Sequence, residues 1–99
     1  MFPKYTDVER PLLQELLRRG GQARPADRDA TGRSVYEALA DHFQLSKLER
    51  QEAILENGKP RSRWENMVRY AVRKLKDTGE LESPLYGVWA VTDRGTRRT

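Results

Sequence analysis

The chain has 99 residues, room for one hydrophobic core but not two, and 36% hydrophobic against 34% charged residues ask for a compact core beneath a heavily charged surface. Lys and Arg number 19 against 15 Asp and Glu, a net charge of +4 that favours polyanionic partners. The lack of cysteine excludes disulfides and thiolate metal sites, and apolar runs of a few residues fall far short of the ~20 that a membrane helix needs. The start, Met1-Phe2-Pro3-Lys4-Tyr5, has no apolar core of a secretion signal, so an intracellular, cytoplasmic protein is expected.

Tyr5 to Arg19 reads as the first helix. Thr6-x-x-Glu9 has the form of a capping box and Pro11 suits a first helical position, two starts that the residues leave open. Leu12, Leu13, Leu16 and Leu17 supply its apolar face, and Gly20-Gly21 ends it. Gln22 to Ala30, with Pro25 among Arg and Asp, is expected to be a loop with room for a short strand. Val35, Tyr36, Leu39, Ala40 and Phe43 recur at helical spacing, which predicts a second long helix from about Thr31 to Gln44. Ser46-x-x-Glu49 is a capping box that opens a short helix through Leu48, Ile54 and Leu55, stopped by Asn57-Gly58-Lys59-Pro60.

The clearest element is a helix from Arg61 to Asp77. Trp64, Met67, Val68, Ala71, Val72 and Leu75 follow the 3.6-residue period of one buried face. Gly79 stands where a left-handed C-terminal cap belongs, and Arg73, Lys74 and Lys76 suit the negative end of the helix dipole. Leu81 to Ser83 and Gly87 to Thr92 then read as two short strands around Pro84-Leu85-Tyr86, with Trp89 and Val91 on the inward side. Asp93 to Thr99 reads as a fraying basic tail. Three or four helices followed by a β-hairpin is the element order of a winged helix. The fold expected is therefore α+β: a winged helix-turn-helix domain over residues 1–95 and a tail over 96–99.

Rotating the 61–76 helix by about 100° per residue from its apolar face brings out the opposite side. It presents Ser62, Asn66, Arg69 and Arg73, flanked by Tyr70 and Arg63, with Asp77 at the far end and Glu65 to one side. Arg matches the guanine edge bidentately, Asn does the same for adenine, and either can hold a phosphate. A solvated helix face would have similar composition, so three further features matter. Tyr86 would sit at the wing tip, followed by Arg94, Arg97 and Arg98, within reach of a minor groove or the backbone. Arg33 and Ser34, near the start of the second long helix, have the chemistry to donate to a phosphate. The acids Glu37, Asp41, Glu49, Glu52 and Glu56 are concentrated elsewhere.

The C-terminal half carries a recognisable pattern. Trp64-Glu65-Asn66-Met67-Val68-Arg69-Tyr70-Ala71, then Leu75-Lys76-Asp77-Thr78-Gly79-Glu80-Leu81, then Tyr86-Gly87-Val88-Trp89-Ala90-Val91-Thr92-Asp93-Arg94-Gly95 resembles the N-terminal winged-helix domain of Mrr-type restriction endonucleases. Pro11-Leu12-Leu13 and the stretch from Leu45-Ser46 to Gly58 are similar too. The resemblance implies a DNA-targeting module of a restriction system, fused to or associated with a nuclease domain, with methylated bases among its targets. Asn66, Arg69 and Ala71 match the family pattern. Tyr70 replaces its usual Trp, Met67 its frequent Arg, and Tyr86 its wing Arg.

No acidic cluster followed by a Glu-x-Lys element is present, and no triad, metal set or phosphate loop can be assembled, so neither catalytic nor metal-binding residues nor a cofactor are expected. His42, the one histidine, is expected to be a surface or packing residue, and Trp64 and Trp89 to be core. The partner expected is double-stranded DNA. No extra heptad-like helix suggests a dimer, so a monomer is favoured over a dimer, which a partner domain outside this sequence would have to assemble. Two other functions compete: a stand-alone transcription regulator, and a winged helix used for protein–protein contact.

Overall fold

A computed structural model describes residues 1–99. In chain order the elements are α1 (Tyr5–Arg18), β1 (Gln22–Ala23), α2 (Val35–His42), α3 (Lys47–Gln51), β2 (Ala53–Glu56) and β3 (Lys59–Ser62). They continue with α4 (Arg63–Asp77), β4 (Leu81–Glu82), β5 (Trp89–Val91) and α5 (Asp93–Arg98). β5 is the middle strand of a three-stranded antiparallel sheet in the order β1-β5-β4, with Ala23 opposite Trp89 and Leu81 opposite Val91. Three helices (α1, α2 and α4) packed together beside that sheet make this a winged-helix fold, with β4–β5 as the wing. No helix is long and apolar enough to cross a membrane.

The core is built by the apolar periods of those three helices. Val8, Leu12, Leu13 and Leu16 of α1 meet Val35 and Leu39 of α2 and Trp64, Val68, Ala71, Val72 and Leu75 of α4. The sheet closes the open side with Leu81 and Trp89. Fully burying a Leu or Val side chain contributes about 1.5–3 kcal/mol, which is why these positions decide the orientation of α4.

Several boundaries differ from the sequence expectation. α1 does start at Tyr5, but neither Thr6 nor Pro11 opens it. Lys4 is the N-cap residue, its N–H bonded to Asp7 Oδ2 at 3.2 Å, and Pro11 lies inside the helix. α2 begins at Val35 instead of Thr31, because Ser34 and Glu37 form the capping box: Glu37 N–H donates to Ser34 Oγ at 3.2 Å, and Ser34 N–H to Glu37 Oε1 at 3.1 Å. Ser46 and Glu49 do cap α3, but that helix ends at Gln51.

Ile54 and Leu55 are therefore not helical. They lie in β2, which pairs with β3 in a separate hairpin, Ile54 opposite Arg61 and Leu55 opposite Pro60. Asn57 (φ 53°) and Gly58 (φ 77°) form its tight turn, the two positive φ angles that a two-residue hairpin loop of this hand requires. Asp93–Arg98, expected to fray, is helical as well. Thr92 caps α5 by accepting from Gly95 N–H at 3.2 Å, and Arg98 anchors it by ion pairs to Glu9 of α1 (2.6 Å) and Glu80 (2.8 Å).

Candidate nucleic-acid interface

α4 is held by its apolar side, so the opposite side is turned outward. Ser62 accepts from Glu65 N–H at 3.2 Å and starts the helix. The Trp64 indole N–H donates to the Tyr36 carbonyl at 2.9 Å, which locks the rotation of α4 against α2. With that rotation set, Arg69, Tyr70, Arg73, Lys76 and Asp77 are exposed, and Ser62, Arg63, Glu65 and Asn66 are half-buried.

The polar stripe is divided into two recesses. On one flank Arg69, Arg73 and Lys76 surround a groove of about 250 Å³ whose remaining lining is Val72 and Trp89 of the wing. No acid lines it, and neither Arg73 nor Lys76 makes an ion pair. Arg69 is the modulated member. Glu65, one turn before it, lies 3.8 Å away, and Tyr36 is its neighbour on α2. Burial pushes the Tyr36 phenol up, and the Arg69 charge pulls it the other way.

On the other flank Asn66, Arg63, Met67 and Tyr70 share a recess with Tyr5 of α1. Tyr70 stands edge-on to Tyr5 with centroids 4.7 Å apart, and Lys74 Nζ lies 5.5 Å from the Tyr70 ring centre. The Arg63 guanidinium is stacked over Phe2 at 4.5 Å and paired with Glu52 at 2.6 Å. Arg63 is thus committed within the protein, and Asn66 faces the same recess as two tyrosine rings.

The other expected contacts lie apart from this face. Ser34 is 7% exposed and its hydroxyl and N–H are both used in the α2 cap. Its partner Glu37 puts a carboxylate where a phosphate would have to enter. Arg33 is bound to Asp41 at 2.7 Å and to Thr31 Oγ1 at 2.9 Å. Arg94 donates to the Thr78 carbonyl at 2.8 Å, closing the C-terminal end of α4. Tyr86, at the wing tip, is 99% exposed, and its carbonyl is held by Arg24 at 2.9 Å. His42 is exposed beside Phe43.

Three members of the groove, Val72, Lys76 and Trp89, are not among the contacts expected from the sequence, Val72 being a core position of α4. Lys76 is on the same helical line as Arg69 and Arg73, seven and three residues on, a spacing that was available. Trp89 was assigned to the core, where it does lie; that its edge also lines the groove depends on how β5 packs on α4.

A family model described as the Mrr N-terminal domain matches residues 5–99. The chain belongs to that family. No curated protein and no solved structure matches it. The match to the Mrr N-terminal domain spans all ten elements, α5 included.

Proposed function

We propose that this Mrr N-terminal domain binds double-stranded DNA as the targeting module of a restriction system, with α4 in the major groove. Family membership supports the association with restriction. The observation that carries DNA binding is the groove of Arg69, Arg73 and Lys76, three cations gathered without an acid in its lining between the outward face of α4 and the wing. In this reading Arg69 and Arg73 take guanine edges or phosphates and Asn66 takes an adenine edge. The cutting chemistry is assigned to a fused or associated nuclease domain. The chain itself brings together no three metal-ligating side chains. It acts as a monomer in this reading, with one α4 per site.

Sensing of methylated bases is the finer part of the proposal. Its support is the recess of Tyr5, Arg63, Asn66, Met67 and Tyr70, where an amide able to read a base edge is bordered by a guanidinium and by the Met67 thioether and two tyrosine rings, surface suited to a methyl group.

A second reading, contact with a protein, has one feature in its favour. The wing tip is apolar, with Leu85 64% exposed beside Tyr86, and there is no Lys or Arg from Leu81 to Asp93.

One titration separates the two. Short duplexes, unmodified or methylated at adenine or cytosine, are added to the domain at two salt concentrations. Binding that weakens steeply with salt is expected, because neutralised phosphates release counterions. Tighter binding to one methylated duplex is expected from the tyrosine recess. Absence of any salt-dependent affinity would assign the domain to protein contact.

A further inference from the structure

The wing contributes no Lys or Arg of its own, the one guanidinium at its tip being Arg24 of the preceding loop, bonded to the Tyr86 carbonyl, and Glu82, Leu85 and Tyr86 are among its exposed side chains. The β2–β3 hairpin has what the wing lacks. It pairs with no other strand, and none of its residues is buried, so core packing does not account for its side chains. A lone two-stranded hairpin is at best marginal in water. This one is supported by its Asn57-Gly58 turn and by its base, where Arg63 N–H donates to the Glu52 carbonyl at 3.0 Å and the Arg63 guanidinium pairs with Glu52. β3 runs without a break into Ser62, the N-cap of α4, so the arm has a set position at the start of that helix.

Register sorts its side chains onto two faces. Arg61 opposite Ile54 and Lys59 opposite Glu56 share one, and Leu55 opposite Pro60 forms the other. Lys59 and Arg61 are exposed and make no ion pair, Glu56 included. Leu55 is 79% exposed. Two free cations on one face and an exposed Leu–Pro pair on the other fit a hairpin set edge-on into a groove of a polyanion: phosphates along one wall take the charges, and Leu or Pro presses on the sugars or a base step of the other.

We propose that the β2–β3 hairpin is a second DNA-contacting arm, in which Lys59 and Arg61 hold backbone phosphates beside the N-terminal end of α4 and Leu55 and Pro60 rest against the opposite groove wall. This rests on the proposed DNA binding by α4 and extends it: the footprint runs past the end of α4 on the hairpin side.

The test is hydroxyl-radical footprinting and affinity measurement on one duplex with wild type, K59A/R61A and R69A/R73A. Circular dichroism should find all three folded, since none of these side chains is buried. For K59A/R61A the expected affinity loss is roughly three- to thirtyfold at low salt, with a salt slope shallower by about one to two. Protection should vanish at one end of the footprint while the α4 protections persist. Leu55→Ser should weaken the same end protections without changing the salt slope. If K59A/R61A keeps the full footprint and slope while R69A/R73A loses binding, the arm is overturned, the α4 reading stands, and the hairpin is left for protein contact. If wild type binds no duplex, both fall.

Discussion

The Trp89 indole stands edge-on to the Tyr36 ring, centroids 5.9 Å apart and planes at 86°. This contact ties the wing strand β5 to α2, while Trp64 ties α2 to α4. The groove at Arg69, Arg73 and Lys76 therefore keeps its shape through aromatic packing between three elements. Trp89→Ala should destabilise the fold by about 3–5 kcal/mol, the usual cost of deleting a buried Trp side chain. Urea unfolding followed by circular dichroism measures it. Trp89→Phe, which keeps an aromatic edge, should cost markedly less.

Glu65, one turn before Arg69 on α4, lies 3.8 Å from its guanidinium. It competes with an incoming phosphate for that guanidinium. Glu65→Gln should leave stability nearly unchanged, because an exposed pair of this kind contributes about 0–1 kcal/mol. Duplex affinity should rise a few-fold, by the same magnitude. Arg69→Ala and Arg73→Ala should each lower it, by about 1–3 kcal/mol where a base edge is read. Fluorescence anisotropy with a labelled duplex distinguishes the three variants.

The last helix depends on two features. A Cβ added at Gly95 would fall 2.3 Å from the Glu80 carbonyl oxygen and 2.9 Å from Val91 Cγ1. The first is backbone and cannot yield, so Gly95→Ala should push α5 off the sheet. Arg98→Ala leaves the carboxylates of Glu9 and Glu80 without their cation, at about 1–3 kcal/mol. Amide hydrogen exchange should show faster exchange in α5 for both variants, with α4 protected as before.

Acid should destabilise the domain through its arginine-paired carboxylates. Hydrogen bonds from Thr31 and then Arg18 hold Asp29 well below the usual carboxylate range. Arg33 and Arg50 lower Asp41, and at Glu15 burial opposes ionisation but Arg18 and Arg19 outweigh it. Because these folded values lie below the unfolded ones, their stabilisation is complete above the ordinary carboxylate pKa of about 4 and is lost as pH falls through the depressed values. The thermal midpoint should be flat near neutrality and drop below about pH 4. Asp29→Asn should make that acid limb shallower.

The α4 helix was legible because Trp64 to Leu75 repeat on one side over three turns, and its outward residues followed by rotation. The wing was legible from Gly79, the alternation at Trp89 and Val91, and the intervening Pro84. The hairpin was harder to see, because Ile54 and Leu55 extend the apolar spacing from Leu48 as a helix would. Only Asn57-Gly58 marked the turn, and those two residues also serve as a helix stop. Nor was α5 visible. Six residues with one buried glycine carry no apolar period, and its anchor is the pairing of Arg98 with residues 18 and 89 positions away. That Arg33 and Ser34 have partners within the protein was hard to see for a similar reason. Ser34-x-x-Glu37 is a capping box in the sequence, but its meaning depended on where α2 begins.

Backbone amide shifts of the labelled domain, followed as a short duplex is added at low salt, test DNA binding through α4 most directly. The largest changes should fall on Asn66, Arg69, Arg73 and Lys76, with smaller ones on Trp89 and the β2–β3 hairpin. Saturating duplex that shifts α5 or the Asp27–Asp29 loop and leaves those four amides unmoved would contradict the account.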